Sequence, residues 1–246
     1  MSTRATIDGI GTLLRVTAPF DECLETLDKA GASRSVPFGL LARARLAVGP
    51  DHLLCKLGSF VREAVVYPAE GPALYVRESP LLDLETCRAG AKLHRKLETA
   101  TEARDPIRKT GYGEIMFGDV IPMERFEQIA GAAEADRARP PAERRVFELP
   151  QRRPFKIPID EFASHDLALW LFGDAAVAAE YRDLLKSSGW TEVPVWLHEW
   201  LNPDPSRPPF IRQLVFGSLR TDEGINGGRR LGFDDGCLSG TWGLLT

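Results

Sequence analysis

Three pairs of adjacent residues carry side chains that could bind a metal ion or transfer protons. They are His165-Asp166, His198-Glu199 and Asp234-Asp235. Imidazole and carboxylate groups are common ligands of catalytic zinc, and closely spaced carboxylates hold the divalent ions that assist phosphoryl and phosphodiester hydrolysis. One hypothesis is therefore a metal-dependent hydrolase or nuclease that uses one or more of these pairs.

Each pair also has a structural interpretation, which we favour. The two histidines would lie at opposite ends of a sheet of parallel strands, too far apart to share one metal ion. Asp234-Asp235-Gly236 is typical of a turn that closes a hairpin. The chain also lacks a phosphate-binding loop ending in Lys-Ser/Thr and a Gly-x-Ser-x-Gly motif. We predict no catalytic residue, no resident metal and no cofactor.

The tryptophans suggest a binding surface instead. All five lie in the last third of the chain. Trp196, His198 and Trp200 alternate along the sequence, so on a strand they would point to one face. Tryptophan offers a large rigid contact area and is enriched at the centres of interfaces. We predict that these three residues contact a partner, unless the loop Asn202 to Pro209 covers them.

One predicted helix carries a basic face. Asp83 is expected to cap a helix that runs to about Ala103, with Arg88, Lys92, Arg95 and Lys96 on the side opposite its apolar stripe. Such a face could follow a phosphate backbone. Acidic residues are interleaved with these positions, and the formal net charge of the chain is −4.

We therefore predict a binding protein, acting as a subunit, adaptor or regulator through a protein partner. A nucleic-acid-binding module that uses the basic face, and a structural assembly component, remain alternatives. The sequence has no apolar segment long enough for a signal peptide or a spanning helix, which favours a cytoplasmic protein that does not bind membranes. Its four cysteines, Cys23, Cys55, Cys87 and Cys237, stand alone and are interpreted as reduced, mostly buried thiols.

The pattern of apolar residues and turns predicts the α+β class, with two mixed units. Residues 1–137 form the first unit and residues 155–246 the second. Residues 138–154 contain five Arg and four Pro, which is typical of a linker or a long exposed crossover.

Local patterns predict the main elements of both units. In the first unit we expect a strand at Thr12–Thr17, a helix at Phe20–Ala30, a strand at Leu53–Leu57 and a hairpin at Phe60–Arg77. In the second, strands at Leu167–Phe172 and Val193–Leu197 flank a helix in a βαβ-like element. A strand at Phe210–Leu219 then begins a C-terminal antiparallel meander.

The Gly-, Asp- and Trp-containing tail resembles the C-terminal meander of C-type-lectin-like binding modules. The resemblance begins near residue 210 and includes Asp234-Asp235-Gly236 and Trp242. The tail has no diagnostic motif of that family, and the predicted order of helices and strands upstream does not match it. The sequence therefore assigns the chain as a whole to no family.

Overall fold

The computed structural model describes residues 2–18, 20–88, 121–150, 153–197, 209–220, 224–227 and 240–245. Its helices are α1 (Phe20–Lys29), α2 (Phe38–Val48), α3 (Leu53–Lys56), α4 (Met123–Asp136), α5 (Ile159–Phe162), α6 (Asp166–Phe172) and α7 (Ala175–Ser187). Its strands are β1 (Ser2–Ile7), β2 (Gly11–Thr17), β3 (Ser59–Tyr67), β4 (Ala73–Val76), β5 (Val146–Leu149), β6 (Phe155–Pro158), β7 (Glu192–Trp196), β8 (Phe210–Phe216), β9 (Ile225–Asn226) and β10 (Gly240–Leu244). Two 3-10 helices lie at Pro80–Leu82 and Pro141–Glu143.

All these strands belong to one mixed sheet. Its order is β1-β2-β10-β3-β8-β9-β7-β6, with β4 beside β3 and β5 beside β4. Most neighbours are antiparallel, but β10 runs parallel to β3 and β9 parallel to β7. β10 lies next to β2, so one of the last strands of the chain is held by one of the first. The α+β class predicted from the sequence is confirmed.

Helices cover both faces of the sheet, and the central strands are buried on both sides. Val61 and Val65 of β3 face a core formed with α2, α6 and α7. Ala64 and Val66 face a second core formed with α1 and α4. This is why β3 and β8 are buried along nearly their whole length and carry apolar residues on both faces, with a few buried polar side chains among them. In the described part of the chain, no helix is long and apolar enough to cross a membrane.

The predicted strand at Leu167–Phe172 is wrong, because these residues form α6. The side chain of His165 accepts a hydrogen bond from the backbone N–H of Leu167 and caps the helix, and Gly173 ends it with a φ of 69°. Most of this short helix is buried, so it has no polar face to reveal the helical period. The βαβ-like element is therefore absent. The helices α5, α6 and α7 instead connect β6 to β7, and these two strands pair antiparallel.

The predicted strand at Leu53–Leu57 is also wrong. Residues 53–56 form α3, capped by the side chain of His52. Within residues 138–154, predicted as a linker or long exposed crossover, Val146–Leu149 forms β5 and pairs with β4. Strands from both sides of this stretch share the sheet. The division of the chain into units at residues 1–137 and 155–246 stays a prediction.

Other local predictions are confirmed. The strand at Thr12–Thr17 lies within β2, the helix at Phe20–Ala30 corresponds to α1, and the hairpin at Phe60–Arg77 is formed by β3 and β4. Asp83 caps a helix that begins at Leu84, through hydrogen bonds that its carboxylate accepts from Thr86. The strands predicted at Val193–Leu197 and Phe210–Leu219 correspond to β7 and β8.

A fully buried arginine connects the core helices to the end of β8. Arg45 lies on α2 and has no solvent exposure. Its guanidinium donates hydrogen bonds to one hydroxyl and four backbone carbonyls: Tyr181 Oη at 3.0 Å, Gly217 O at 2.7 Å, Leu54 O at 2.9 Å, Leu57 O at 3.0 Å and Phe216 O at 3.4 Å. It also stacks 4.0 Å from the centre of the Phe216 ring. None of the carboxylates in the described ranges pairs with it, so carbonyl dipoles and the aromatic ring stabilise the charge.

A buried carboxyl group supports the start of the same helix. The residue before α2 is Pro37, whose side chain makes no capping hydrogen bond. Glu63 of β3 supplies the missing acceptor, because its Oε2 accepts a hydrogen bond of 2.9 Å from the backbone N–H of Phe38. Burial raises the pKa of Glu63 to about 7, and the hydrogen bond from Phe38 and the charges of Arg77 and Arg62 limit the rise.

The first prediction concerns Arg45. Replacing Arg45 with Lys keeps the charge but leaves at most three donors for five acceptors, so buried carbonyls lose their partners. We expect the free energy of unfolding, measured by urea denaturation, to fall by about 3 kcal/mol.

Arg43→Lys is the matched control on the same helix. Arg43 is 54 % exposed and pairs with Asp174 at 3.4 Å, so its change should stay within about 0.5 kcal/mol. Equal losses in the two variants would contradict the role of the Arg45 network.

The second prediction concerns the pH dependence that Glu63 imposes. Between pH 4.5, the ordinary pKa of a glutamate, and about 7 the unfolded chain ionises this residue while the folded protein keeps it protonated. The stabilisation is therefore complete below pH 4.5 and is lost as the pH rises through 7, by about 3 kcal/mol in total. We expect this loss in the wild type relative to Glu63→Gln, measured as unfolding free energy across this pH range.

Glu78→Gln is the control for that measurement, because Glu78 is exposed. Its unfolding free energy should follow the wild type at every pH. Parallel curves for the wild type and Glu63→Gln would show that Glu63 does not titrate in this range.

Candidate binding cleft

An open cleft lies over the outer face of the β6–β7 ladder. Along β7, Val193 and Val195 point into the core, whereas Glu192, Pro194 and Trp196 line the cleft. Lys156 of β6 lies opposite Pro194 in the register and lines the same face. The twofold period of the strand therefore places these side chains together.

Three loops form the other walls of the cleft. Pro50 and Asp51 follow α2, residues 188–191 connect α7 to β7, and Leu219 and Arg220 follow β8. The volume of the cleft is about 790 Å³, which is within the range of ligand-binding clefts. We refer to this region, lined by residues of β6, β7 and these three loops, as the Trp196 cleft.

Hydrogen bonds fix the wall after β8. Arg45 holds the carbonyl of Gly217, and the backbone N–H of Leu219 donates to Cys55 O at 2.8 Å. The indole Nε1 of Trp190 donates to Leu219 O at 3.0 Å. The buried Arg45 network therefore reaches the cleft through a turn whose backbone is tied on both sides, and the wall is formed before any ligand arrives.

The backbone of Trp196 is also tied, while its ring faces solvent. Trp196 O accepts a hydrogen bond of 2.8 Å from Gly227 N–H, and the hydroxyl of Tyr67 donates to Gly227 O at 3.0 Å. Trp196 is 42 % exposed, whereas Trp170 and Trp242 have no exposure and Trp190 is half-buried. Trp196 thus presents an aromatic surface from a fixed position.

The lining charges of the cleft cancel. Lys156 pairs with Glu192 across the β6–β7 ladder, and Arg220 lies 3.8 Å from Asp51 on the opposite wall. Among the described lining residues, two positive and two negative groups give a formal charge of zero. The cleft therefore offers aromatic and apolar surface between paired charges, without a field that would select a phosphate chain.

The predicted metal or acid–base pairs are not assembled into a site by the described residues. His165 caps α6, and its burial lowers its pKa, which favours the neutral imidazole that accepts the hydrogen bond from Leu167. Asp166 lies in the first turn of α6, where a negatively charged carboxylate interacts favourably with the helix dipole. His198, Glu199, Asp234 and Asp235 lie outside the described residues. Within the described ranges, no group of three His, Cys, Asp or Glu side chains could hold a metal ion.

The predicted contact residues are only partly visible. Trp196 points outward as its alternation indicated, whereas His198 and Trp200 lie outside the described residues. In the basic face, Arg88 forms an ion pair of 2.9 Å with Glu25 of α1. Lys92, Arg95 and Lys96 lie outside the described residues, so the basic face stays a prediction.

The sequence did not identify the other cleft residues. Lys156, Asp51 and Arg220 come from segments far apart in the chain, and the sheet order brings them together. The alternation of Glu192, Pro194 and Trp196 was the one local signal. Gly224 shows how closely the strands approach here, because a Cβ at this position would lie 2.1 Å from Pro194 O.

Comparison with known proteins identifies the fold. No family model matches the chain, and no curated protein matches its sequence. A solved structure from Nanoarchaeota, described as accommodating massive sequence variation by the C-type lectin fold, aligns with 98 % of this chain and 95 % of its own, with a TM-score of 0.59 and 14 % sequence identity.

The structural likeness corrects the interpretation of the tail. The sequence suggested a C-type-lectin-like pattern only after about residue 210, with a mismatch upstream. That mismatch rested partly on the strands assigned to Leu167–Phe172 and Leu53–Leu57, which are helices. The likeness spans nearly the whole chain, and at this identity it concerns the fold alone: the chain has the C-type lectin fold.

Proposed function

We propose that this protein is a non-catalytic binding protein that recognises a macromolecular partner through the Trp196 cleft. It acts as a subunit, adaptor or regulator. The observation that carries the proposal is the exposed ring of Trp196, held by a fixed backbone in a preformed cleft. Rigid aromatic anchors in desolvated pockets supply much of the energy of protein interfaces.

The size of the exposed ring is sufficient for an interface anchor. A tryptophan can bury up to about 250 Å², so covering the remaining 42 % of Trp196 removes about 100 Å² from water. At about 25 cal/mol per Å² this contributes about 2.5 kcal/mol. The same strand alternation would add His198 and Trp200 to the surface if the extended conformation continued beyond Trp196.

A protein partner fits the cleft better than a nucleic acid. The lining charges are balanced and paired with each other, and the formal net charge of the chain is −4. Nucleic-acid binding depends on unpaired basic groups that neutralise phosphates. Arg88, the one described member of the predicted basic face, is paired with Glu25.

The cysteines and the fold support the rest of the proposal. Cys23, Cys55 and Cys87 are buried and form no disulfide, which suits a reducing, cytoplasmic location. The structural neighbour is described as accommodating massive sequence variation. A scaffold that tolerates such variation suits a protein whose surface is specialised for recognition.

The third prediction tests Trp196 directly. The tagged protein is purified from its own cells, the co-purifying partner is identified, and binding of the purified pair is measured by calorimetry. Trp196→Ala should raise Kd by about thirtyfold, which corresponds to about 2 kcal/mol, because the anchor is removed. Its free energy of unfolding should change by less than about 1 kcal/mol, since the ring is exposed in the free protein.

Met123→Ala is the matched control for this measurement. Met123 is a large apolar residue with 54 % exposure, and it lies on α4, outside the cleft. Its replacement should leave Kd unchanged. A Trp196→Ala variant that loses thermal stability but binds with unchanged affinity would show that the ring serves the fold and that the proposal is wrong.

The fourth prediction separates the two classes of partner. Affinity for a protein partner at a cleft whose described lining charges are balanced should change little with salt. If the partner is bound through even a few phosphates, raising the salt concentration from about 50 to 200 mM would weaken binding about tenfold or more. Such a steep dependence, abolished by charge reversal at Lys92 and Arg95, would favour the nucleic-acid alternative.

A further inference from the structure

We propose that the partner inserts a proline-rich segment in the polyproline II conformation into the Trp196 cleft. This inference rests on the proposed function and adds the chemistry of the bound segment. Polyproline II segments bind to shallow grooves lined by aromatic rings, and their preformed conformation limits the entropy lost on binding.

The lining of the cleft has the required flat apolar surfaces. Trp196 and Pro50 are exposed there and Trp190 is half-buried, whereas Pro194 and Leu219 line the cleft but are buried. Trp190 is oriented by the hydrogen bond from its Nε1 to Leu219 O. Proline rings pack well against such aromatic and pyrrolidine rings, because rigid rings lose little conformational entropy when they are immobilised.

The polar groups of the cleft match the backbone of such a ligand. Polyproline II has no internal hydrogen bonds, so its carbonyls need external donors. The guanidinium of Arg220 has five N–H donors, and among the described residues its side chain has one partner, Asp51, at the long distance of 3.8 Å. The remaining donors can turn to ligand carbonyls, which are uncharged and therefore suit a cleft whose described lining charges cancel.

The dimensions agree with a short segment. Five residues of β7 span about 13 Å at about 3.3 Å per residue. A polyproline II segment rises about 3.1 Å per residue, so about four residues lie alongside the strand.

Strand addition is a poorer alternative at this site. β6 is at the edge of the sheet in the described part of the chain, but Pro158 has no N–H to offer a new strand. Proline and exposed lysine, here Lys156, are the residues that protect sheet edges from pairing. A polyproline II ligand needs no ladder of backbone hydrogen bonds.

Decaproline titrated into the full-length 15N-labelled protein tests the inference. We expect saturable shifts of the Trp196 indole N–H signal, assigned from its loss in Trp196→Phe, and at least tenfold weaker binding by Trp196→Ala. Met123→Ala should bind as the wild type does. A Gly-Ser peptide of the same length should cause no shift, because it offers no rings and pays a larger ordering entropy.

The outcomes distinguish the inference from the proposed function. Saturable decaproline binding that requires Trp196 supports the inference. Without such binding, or with binding that Trp196→Ala leaves unchanged, the inference is wrong, and the proposed function still stands if the co-purified partner needs Trp196. If the co-purified partner also binds Trp196→Ala normally, the proposed function fails as well.

Discussion

A buried guanidinium is the interaction on which the arrangement of this molecule most depends. The five hydrogen bonds of Arg45 connect α2 to the loop around α3, to Tyr181 of α7 and to the end of β8. A charge removed from water is costly unless every donor is satisfied. The elements that supply these acceptors are therefore held in one arrangement, and the loop after β8 becomes part of the core at one end and of the cleft at the other.

The cleft follows from this constraint together with the strand period. Leu219 is fixed by Cys55 O and by the indole of Trp190, while β7 turns Val193 and Val195 inward and Trp196 outward. The aromatic surface is therefore presented by two walls that are positioned independently of a ligand. Preformed walls reduce the entropy lost on binding, so a modest exposed area is enough for recognition.

The sequence predicts the parts of this fold in which local pattern and environment agree. The β3–β4 hairpin is marked by apolar strands around a Pro/Gly turn, and the outward direction of Trp196 follows from alternation. α6 was missed because a buried seven-residue helix has no polar face, although His165 and Gly173 were available as start and stop signals. β10 was missed because its pairing with β2 joins residues more than two hundred positions apart. Arg220, Asp51 and Lys156 could not be grouped before the sheet order was known.

Hydrogen exchange at two backbone amides tests whether the buried arginine fixes the wall of the Trp196 cleft. Gly217 N–H donates to Gly224 O and Leu219 N–H to Cys55 O, each at 2.8 Å. We expect both amides to exchange with an opening free energy close to that of global unfolding, as in core strands, and we expect Arg45→Lys to lower the protection of both. Exchange of these amides at the rate of an exposed turn in the wild-type protein would contradict this role of the arginine.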